Sequence, residues 1–225
     1  MFEFVKIIFV VFFMLLPLAN PLVSVTLMMS LGSRLPDEEK NKQAKQAAKY
    51  SLAVMLISFY CGHLVMKVFG ISIPGLRIAG GLIVMVIGFQ MLFPAQSSST
   101  SPELESKKDE LKGKGTSSSS LAFIPLTMPG FAGPGTIAMV ISIASTLPSF
   151  GAPMWVMLSA PIISFIGLCL FLWFCLKSSA KIVAKIGQSG IDAISRVMGF
   201  LLVCMGVQFC INGVLEILHQ APLAK

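Results

Sequence analysis

Asn20 lies between two prolines in an otherwise apolar run, Pro17-Leu18-Ala19-Asn20-Pro21. Proline has no N–H, and its ring displaces the carbonyl four residues back, so a helix through this run loses backbone bonds near residues 13 and 17. Freed carbonyls beside a carboxamide, inside apolar sequence, form a ready site for a small polar or charged ligand. A second run has the same character: Pro125-Leu126-Thr127-Met128-Pro129, continuing through Gly130, Gly133, Pro134 and Gly135 to Thr136. Its glycines allow close backbone approach, and its threonines add hydroxyls. The residues expected to line a substrate site are Pro17, Asn20 and Pro21 in the first run. In the second they are Thr127, Pro129, Gly133, Pro134, Gly135 and Thr136. A kink relieved by neighbouring helices explains either run alone. Two such runs at matched positions favour the functional explanation.

Each run is followed by a later apolar helix that opens on arginine. Arg77-Ile78-Ala79-Gly80-Gly81 leads to Gly88-Phe89-Gln90, and Arg196-Val197-Met198-Gly199 leads to Gly206-Val207-Gln208. A guanidinium at a helix end either anchors it by snorkelling or pairs with a carboxylate or carbonyls and closes one face of a transport path. Gly81 and Gly199 permit close helix crossing, and Gln90 and Gln208 are expected to hydrogen-bond between helices. Other chemistries lack their residues. Apart from Asp192 and Glu216, near the ends of the last apolar run, no carboxylate lies within apolar sequence, so no buried proton relay is evident. Two histidines and five cysteines show no metal-ligand spacing. No catalytic set and no phosphate loop occur. No metal, cofactor or enzymatic activity is expected.

The elements that hold these residues must sit in lipid. Of 225 residues, 55% are hydrophobic and 12% charged, against about 25% charged in an ordinary soluble domain. Apolar runs at roughly 3–31, 49–68, 73–93, 121–146, 153–176 and 193–218 are each near the length of about 20 residues that crosses a hydrocarbon core. The expected fold is an all-α membrane protein of six transmembrane helices in one polytopic domain, 1–225. Repeat 1 occupies about 1–93 and repeat 2 about 121–218, joined by a Ser/Lys/Glu-rich linker at 94–120. The prolines predict that the first and fourth helices are broken. Pro36 with Asp37, Glu38 and Glu39 predicts a helix start in solvent before the second crossing. Three crossings per repeat is an odd number, so the two copies enter the membrane in opposite directions and the repeat is inverted.

The net charge of +7 is explained by topology, and nucleic acid is not an expected partner. Arg34, Lys40, Lys42, Lys45, Lys49, Lys107, Lys108, Lys112, Lys114, Lys177, Lys181 and Lys185 fall in the first, third and fifth connections, against Lys6, Lys67 and Lys225 on the other side. That bias places the connections in the cytoplasm and both termini in the periplasm. The N-terminal run is expected to remain as the first crossing rather than to be a cleaved signal.

The chain resembles the MarC family of bacterial inner-membrane proteins. The residues that carry the match are Leu16-Pro-Leu-Ala-Asn-Pro21, Phe69-Gly-Ile-Ser-Ile-Pro-Gly-Leu-Arg-Ile-Ala-Gly-Gly81, Ile124-Pro-Leu, Gly133-Pro-Gly-Thr-Ile137, Ile194-Ser-Arg-Val-Met-Gly199 and Gly206-Val-Gln208. The resemblance covers essentially the whole chain. It implies kinship with small neutral amino acid transporters and hence a carrier of small zwitterions in the bacterial inner membrane. The expected function is a secondary transporter of a small polar metabolite such as a neutral amino acid. Its partners are the lipid bilayer and the solute, with sodium and proton both open as coupling ion. A scaffold or accessory subunit without transport activity is the alternative, and the oligomeric state is left open.

Overall fold

The computed structural model describes residues 2–31, 36–93, 122, 126–127, 131–147 and 153–220. Among the described residues every regular element is a helix: α1 Phe2–Ala19, α2 Pro21–Leu31, α3 Asp37–Val68, α4 Ile73–Leu92, α5 Pro134–Thr146, α6 Met154–Lys177 and α7 Ser179–Gln220. The predicted linker at 94–120 lies outside them, as do Pro125 and Pro129.

Local chemistry sets most of the boundaries. α1 runs through Pro17 and stops where Asn20 adopts a left-handed φ of 33°. Pro21 disfavours the helical region for the residue before it, and asparagine tolerates left-handed backbone better than other side chains do. α3 starts after Pro36 with Asp37, Glu38 and Glu39 in its first turn, the acids facing the positive end of the helix dipole. At the start of α4, the Ser72 hydroxyl accepts from the Gly75 N–H at 3.2 Å, and Pro74 occupies the first turn. α7 is interrupted at Gly187, whose φ of 74° and ψ of 164° are non-helical, a conformation that glycine adopts without a Cβ penalty.

Among the described residues, five helical stretches are long and apolar enough to cross a membrane: Phe4–Met29, which includes the break at Asn20, then Asp37–Val68, Ile73–Leu92, Met154–Lys177 and Ser189–His219. The fourth predicted crossing differs. Its described helix, α5, has 13 residues, about 20 Å at 1.5 Å per residue, short of a hydrocarbon core of about 30 Å. Before it, residues 122, 126, 127 and 131 have π-helical geometry, and the Ala132 N–H donates to the Thr127 carbonyl, five residues back, at 2.8 Å. The described residues therefore hold five helices of crossing length and one half-length helix.

The closest pair is α4 with α7, packed antiparallel. Further contacts join α3 to α6 and α5, α1 and α2 to α6, α4 to α5, and α2 to α7. Leu15, Met55, Phe131, Phe165, Leu168 and Leu172 are fully buried between them. The Phe59 and Phe165 rings meet edge to face at 5.8 Å, and the Ser164 hydroxyl donates to the Ile8 carbonyl at 3.0 Å. Outward-facing positions are as apolar as the core: Phe9, Phe13, Leu64, Leu170, Phe174 and Phe200 are all exposed. In water so much exposed hydrocarbon would drive association; against lipid tails it is a matched surface.

Candidate functional site

The two interrupted segments meet inside the bundle. The Ser24 hydroxyl, one turn beyond the Asn20 break, donates to the Leu126 carbonyl at 3.3 Å. A Cβ built on Gly135 would lie 3.4 Å from Leu18 Cδ2, so the start of α5 packs against the end of α1. Asn20, Thr127, Gly133, Gly135 and Thr136 are all buried, Pro17 and Pro21 are partly buried, and Pro134 is exposed. Gly133 caps α5 with extended backbone, and Pro134 occupies its first turn, where a missing N–H costs nothing. The first-turn amides of Gly135 and Thr136 thus begin a helix inside the protein rather than at its surface.

Their polar groups are arranged unevenly. The Thr127 hydroxyl lies 2.7 Å from the Ala122 carbonyl and 3.2 Å from that of Ala47, and the Thr136 hydroxyl donates to the Phe131 carbonyl at 3.1 Å. Both hydroxyls are occupied by carbonyls five residues back. Asn20 is different. Its Nδ2 donates to Met91 Sδ at 3.1 Å, but its Oδ1 is buried without a hydrogen-bond partner among the described residues. A carboxamide that is only 4% exposed with a free acceptor is an uncommon and costly arrangement. Asn20 and Thr127 therefore belong to one buried region, each engaged with a different helix.

A cavity of about 330 Å³ lies nearer the end of the bundle that carries the first turns of α1. Lys6, Arg77, Ser142, Thr146 and Asn212 give it polar groups, and Val10, Met14, Met139, Ile143 and Phe209 are among its apolar walls. The two arginines differ sharply. The Arg77 side chain is 13% exposed and forms an ion pair through Nη1 with Glu216 Oε2 at 2.5 Å, while its Nε–H donates to the Ser142 hydroxyl at 2.8 Å. One guanidinium thus ties α4 to both α5 and α7. Arg196 is exposed and has no ion-pair partner among the described residues.

The glycines of the two arginine helices face one another. A Cβ on Gly81 would meet the Gly206 carbonyl at 2.6 Å, and one on Gly206 the Gly81 carbonyl at 2.5 Å. Gly88 and Gly199 stand in the same relation, at 2.7 and 2.9 Å. Backbone-to-backbone contact of this kind leaves no room for any side chain. The glutamines do not bridge the helices as expected. Gln208 Nε2 donates to Asn212 Oδ1 on its own helix at 2.9 Å, and Gln90 is exposed. With glycine backbones already in contact, the two glutamines are left on the outer faces of the seam.

A family model described as "MarC family integral membrane protein" matches residues 5–218. The inner membrane protein MarC of Salmonella typhimurium is 56% identical over 205 residues, covering 91% of this chain and 92% of its own length. The corresponding proteins of Citrobacter koseri and Escherichia coli O1:K1 are 55% and 54% identical over the same shares. The chain belongs to the MarC family. It is an integral inner-membrane protein. No solved structure matches it.

In this MarC-family chain, Lys6, Ser142, Asn212 and Glu216 stand around Arg77 although sequence reasoning did not place them there. Glu216 carried the one available signal, as one of the few carboxylates in apolar sequence. Pairing it with Arg77 requires the antiparallel register of α4 and α7. The spacing of Gly81 and Gly88, repeated in Gly199 and Gly206, is where that register was written.

Proposed function

We propose that this protein is a secondary carrier of a small polar solute, working by alternating access between two inverted three-helix halves. The observation that carries the reading is the meeting of the two interrupted segments, joined by the Ser24–Leu126 hydrogen bond and the Leu18–Gly135 contact. Helices broken inside a membrane bundle at the junction of two repeats are where carriers hold their substrates. The pattern of helix contacts adds support. Exchanging α1 and α2 with α5, α3 with α6, and α4 with α7 maps the α1/α2–α6 contact onto α5–α3, and α4–α5 onto α7–α2, while α3–α6 and α4–α7 map onto themselves. This is the behaviour expected of a two-fold axis in the membrane plane.

The solute class follows from the polar groups at the breaks. The amides at the start of α5 suit a carboxylate. The unpartnered Oδ1 of Asn20 suits an ammonium. A small zwitterion such as a neutral amino acid meets both demands, in line with what the family resemblance implies. The basic bias of the connections puts both termini in the periplasm. With that orientation, the Arg77–Glu216 pair closes the periplasmic side, and Arg196 lies towards the cytoplasm. Sodium and proton are the candidate coupling ions, and no step of the cycle calls for a covalent intermediate.

The test is uptake and efflux of neutral amino acids in proteoliposomes under imposed proton and sodium gradients. Gradient-dependent flux that Asn20→Ala weakens would support the carrier. Absence of flux for every solute, together with no thermal stabilisation in a metabolite screen, would sink it and leave a scaffold role.

A further inference from the structure

The cavity beside Arg77 has chemistry of its own. Its lining combines the polar Lys6, Arg77, Ser142, Thr146 and Asn212 with the apolar Met14, Met139 and Phe209. Val10 and Met14 remain 43% and 40% exposed, so the α1 side is not sealed by other parts of the protein. Its volume of about 330 Å³ is at the small end of the range for small-molecule sites, about 300–1,000 Å³.

Charge and hydrogen-bond capacity at the mouth are unbalanced. Among the described residues, Lys6 and Arg77 line the cavity, and the one carboxylate bonded to either is Glu216, on Arg77. Several acceptors are already engaged: Glu216 Oε2 takes Arg77 Nη1, the Ser142 hydroxyl takes Arg77 Nε–H, and Asn212 Oδ1 takes Gln208 Nε2. Donors are in excess. A guanidinium has five N–H groups, of which Arg77 commits one from Nε and one from Nη1, and Lys6 has no ion-pair partner among the described residues. An ammonium would meet the like charges of Lys6 and Arg77, whereas a single negative charge would find their free N–H donors.

We propose that this cavity binds an amphipathic monoanion, with its charged head between Arg77 and Lys6 and its apolar body against Met14, Met139 and Phe209. The head competes with Glu216 for the guanidinium, so occupancy loosens the tie between α4 and α7. The chemistry is met by a free alkyl carboxylate or by the phosphodiester and acyl chain of an anionic lipid. The inference does not rest on the carrier reading, because it concerns equilibrium binding without a gradient.

The experiment uses the full chain in nanodiscs of phosphatidylcholine, with saturable binding of radiolabelled octanoate read by scintillation proximity. Saturable binding is expected, displaced by octyl phosphate but not by octanol or octylammonium. Arg77→Gln should weaken it at least tenfold and Lys6→Gln several-fold. Glu216→Gln should strengthen it several-fold by removing the competitor, a gain that damage to the fold would not produce. Lys67→Gln, which removes an exposed charge at the end of α3, should leave it unchanged. Repeating the measurement in phosphatidylglycerol nanodiscs separates the sources: loss of octanoate binding there assigns the site to lipid, and retention assigns it to a free amphiphile. No saturable binding in phosphatidylcholine, equal displacement by octanol, or wild-type affinity in a monodisperse Arg77→Gln variant would each overturn the proposal.

Discussion

The seam between α4 and α7 is symmetric at its centre and asymmetric at its ends. In the middle, Gly81 faces Gly206 and Gly88 faces Gly199, each pair in backbone contact. At one end, Arg77 is drawn into the protein by Glu216 and Ser142. At the other, Arg196 is exposed without a described ion-pair partner. The same short motif therefore yields one arginine that ties three helices together and one that has no ion-pair partner among the described residues. A repeated motif sets where a side chain starts; its partners come from whatever the other repeat places opposite, and the repeats differ there.

The centre of the seam should be the hardest place to alter. Gly81→Leu or Gly206→Leu would drive a side chain into a carbonyl on the facing helix, and overpacking of this kind costs about 1–3 kcal/mol or more. Either variant should lose most of its monodisperse yield, measured by size-exclusion chromatography and thermal unfolding. Near-normal behaviour of both would mean that the helices are not in backbone contact.

The Arg77 end comes next. Glu216→Ala leaves a largely buried guanidinium unpaired, a change that costs about 3–5 kcal/mol in a fully buried pair. Partial exposure of both side chains, 13% and 27%, should keep the loss towards or below the lower figure. Arg77→Ala combined with Glu216→Ala should recover part of the lost melting temperature, and a double-mutant cycle would read the coupling. Strict additivity would show that the pair contributes nothing.

The break at Asn20 gives a smaller and more specific effect. Its φ of 33° is disfavoured for L-residues by roughly 1–2 kcal/mol. Asn20→Val should lower stability by about that amount, whereas Asn20→Gly should remain near wild type. If valine were tolerated as well as glycine, Asn20 would not hold left-handed backbone. The smallest effect is expected at the exposed arginine: Arg196→Ala should fall within about 0.5 kcal/mol of wild type, as surface changes usually do. A loss as large as that of Arg77→Ala would restore the symmetry that the structure lacks, and would point to a partner for Arg196 outside the described residues.

Much of this could be read from the residues in order. The low charge content and long apolar runs required a membrane protein, because too few polar residues exist to coat a globule. The first break was legible because Pro21 constrains Asn20 through covalent geometry alone, and Pro36 with three acids marked the start of α3 in the same local way. In the fourth apolar run the described residues cover the second half. Its prolines and glycines announced an interruption, but not the contacts of Leu126 and Thr127 with Ser24 and Ala47, which come from helices distant in sequence.

What the sequence by itself determined is whatever depends on short range: solvent class, helix positions, the Asn20 break and the placement of glycines along α4 and α7. Tertiary structure alone decided which polar groups found partners. Arg77 and Glu216 are 139 residues apart, and only the antiparallel glycine seam brings them together. Among the described residues Asn20 Oδ1 was left without a partner while the Thr127 hydroxyl was given one, although both residues lie in matching proline-flanked runs. Hydrogen bonds and ion pairs act over a few ångströms, so their formation depends on how helices distant in sequence come to lie side by side.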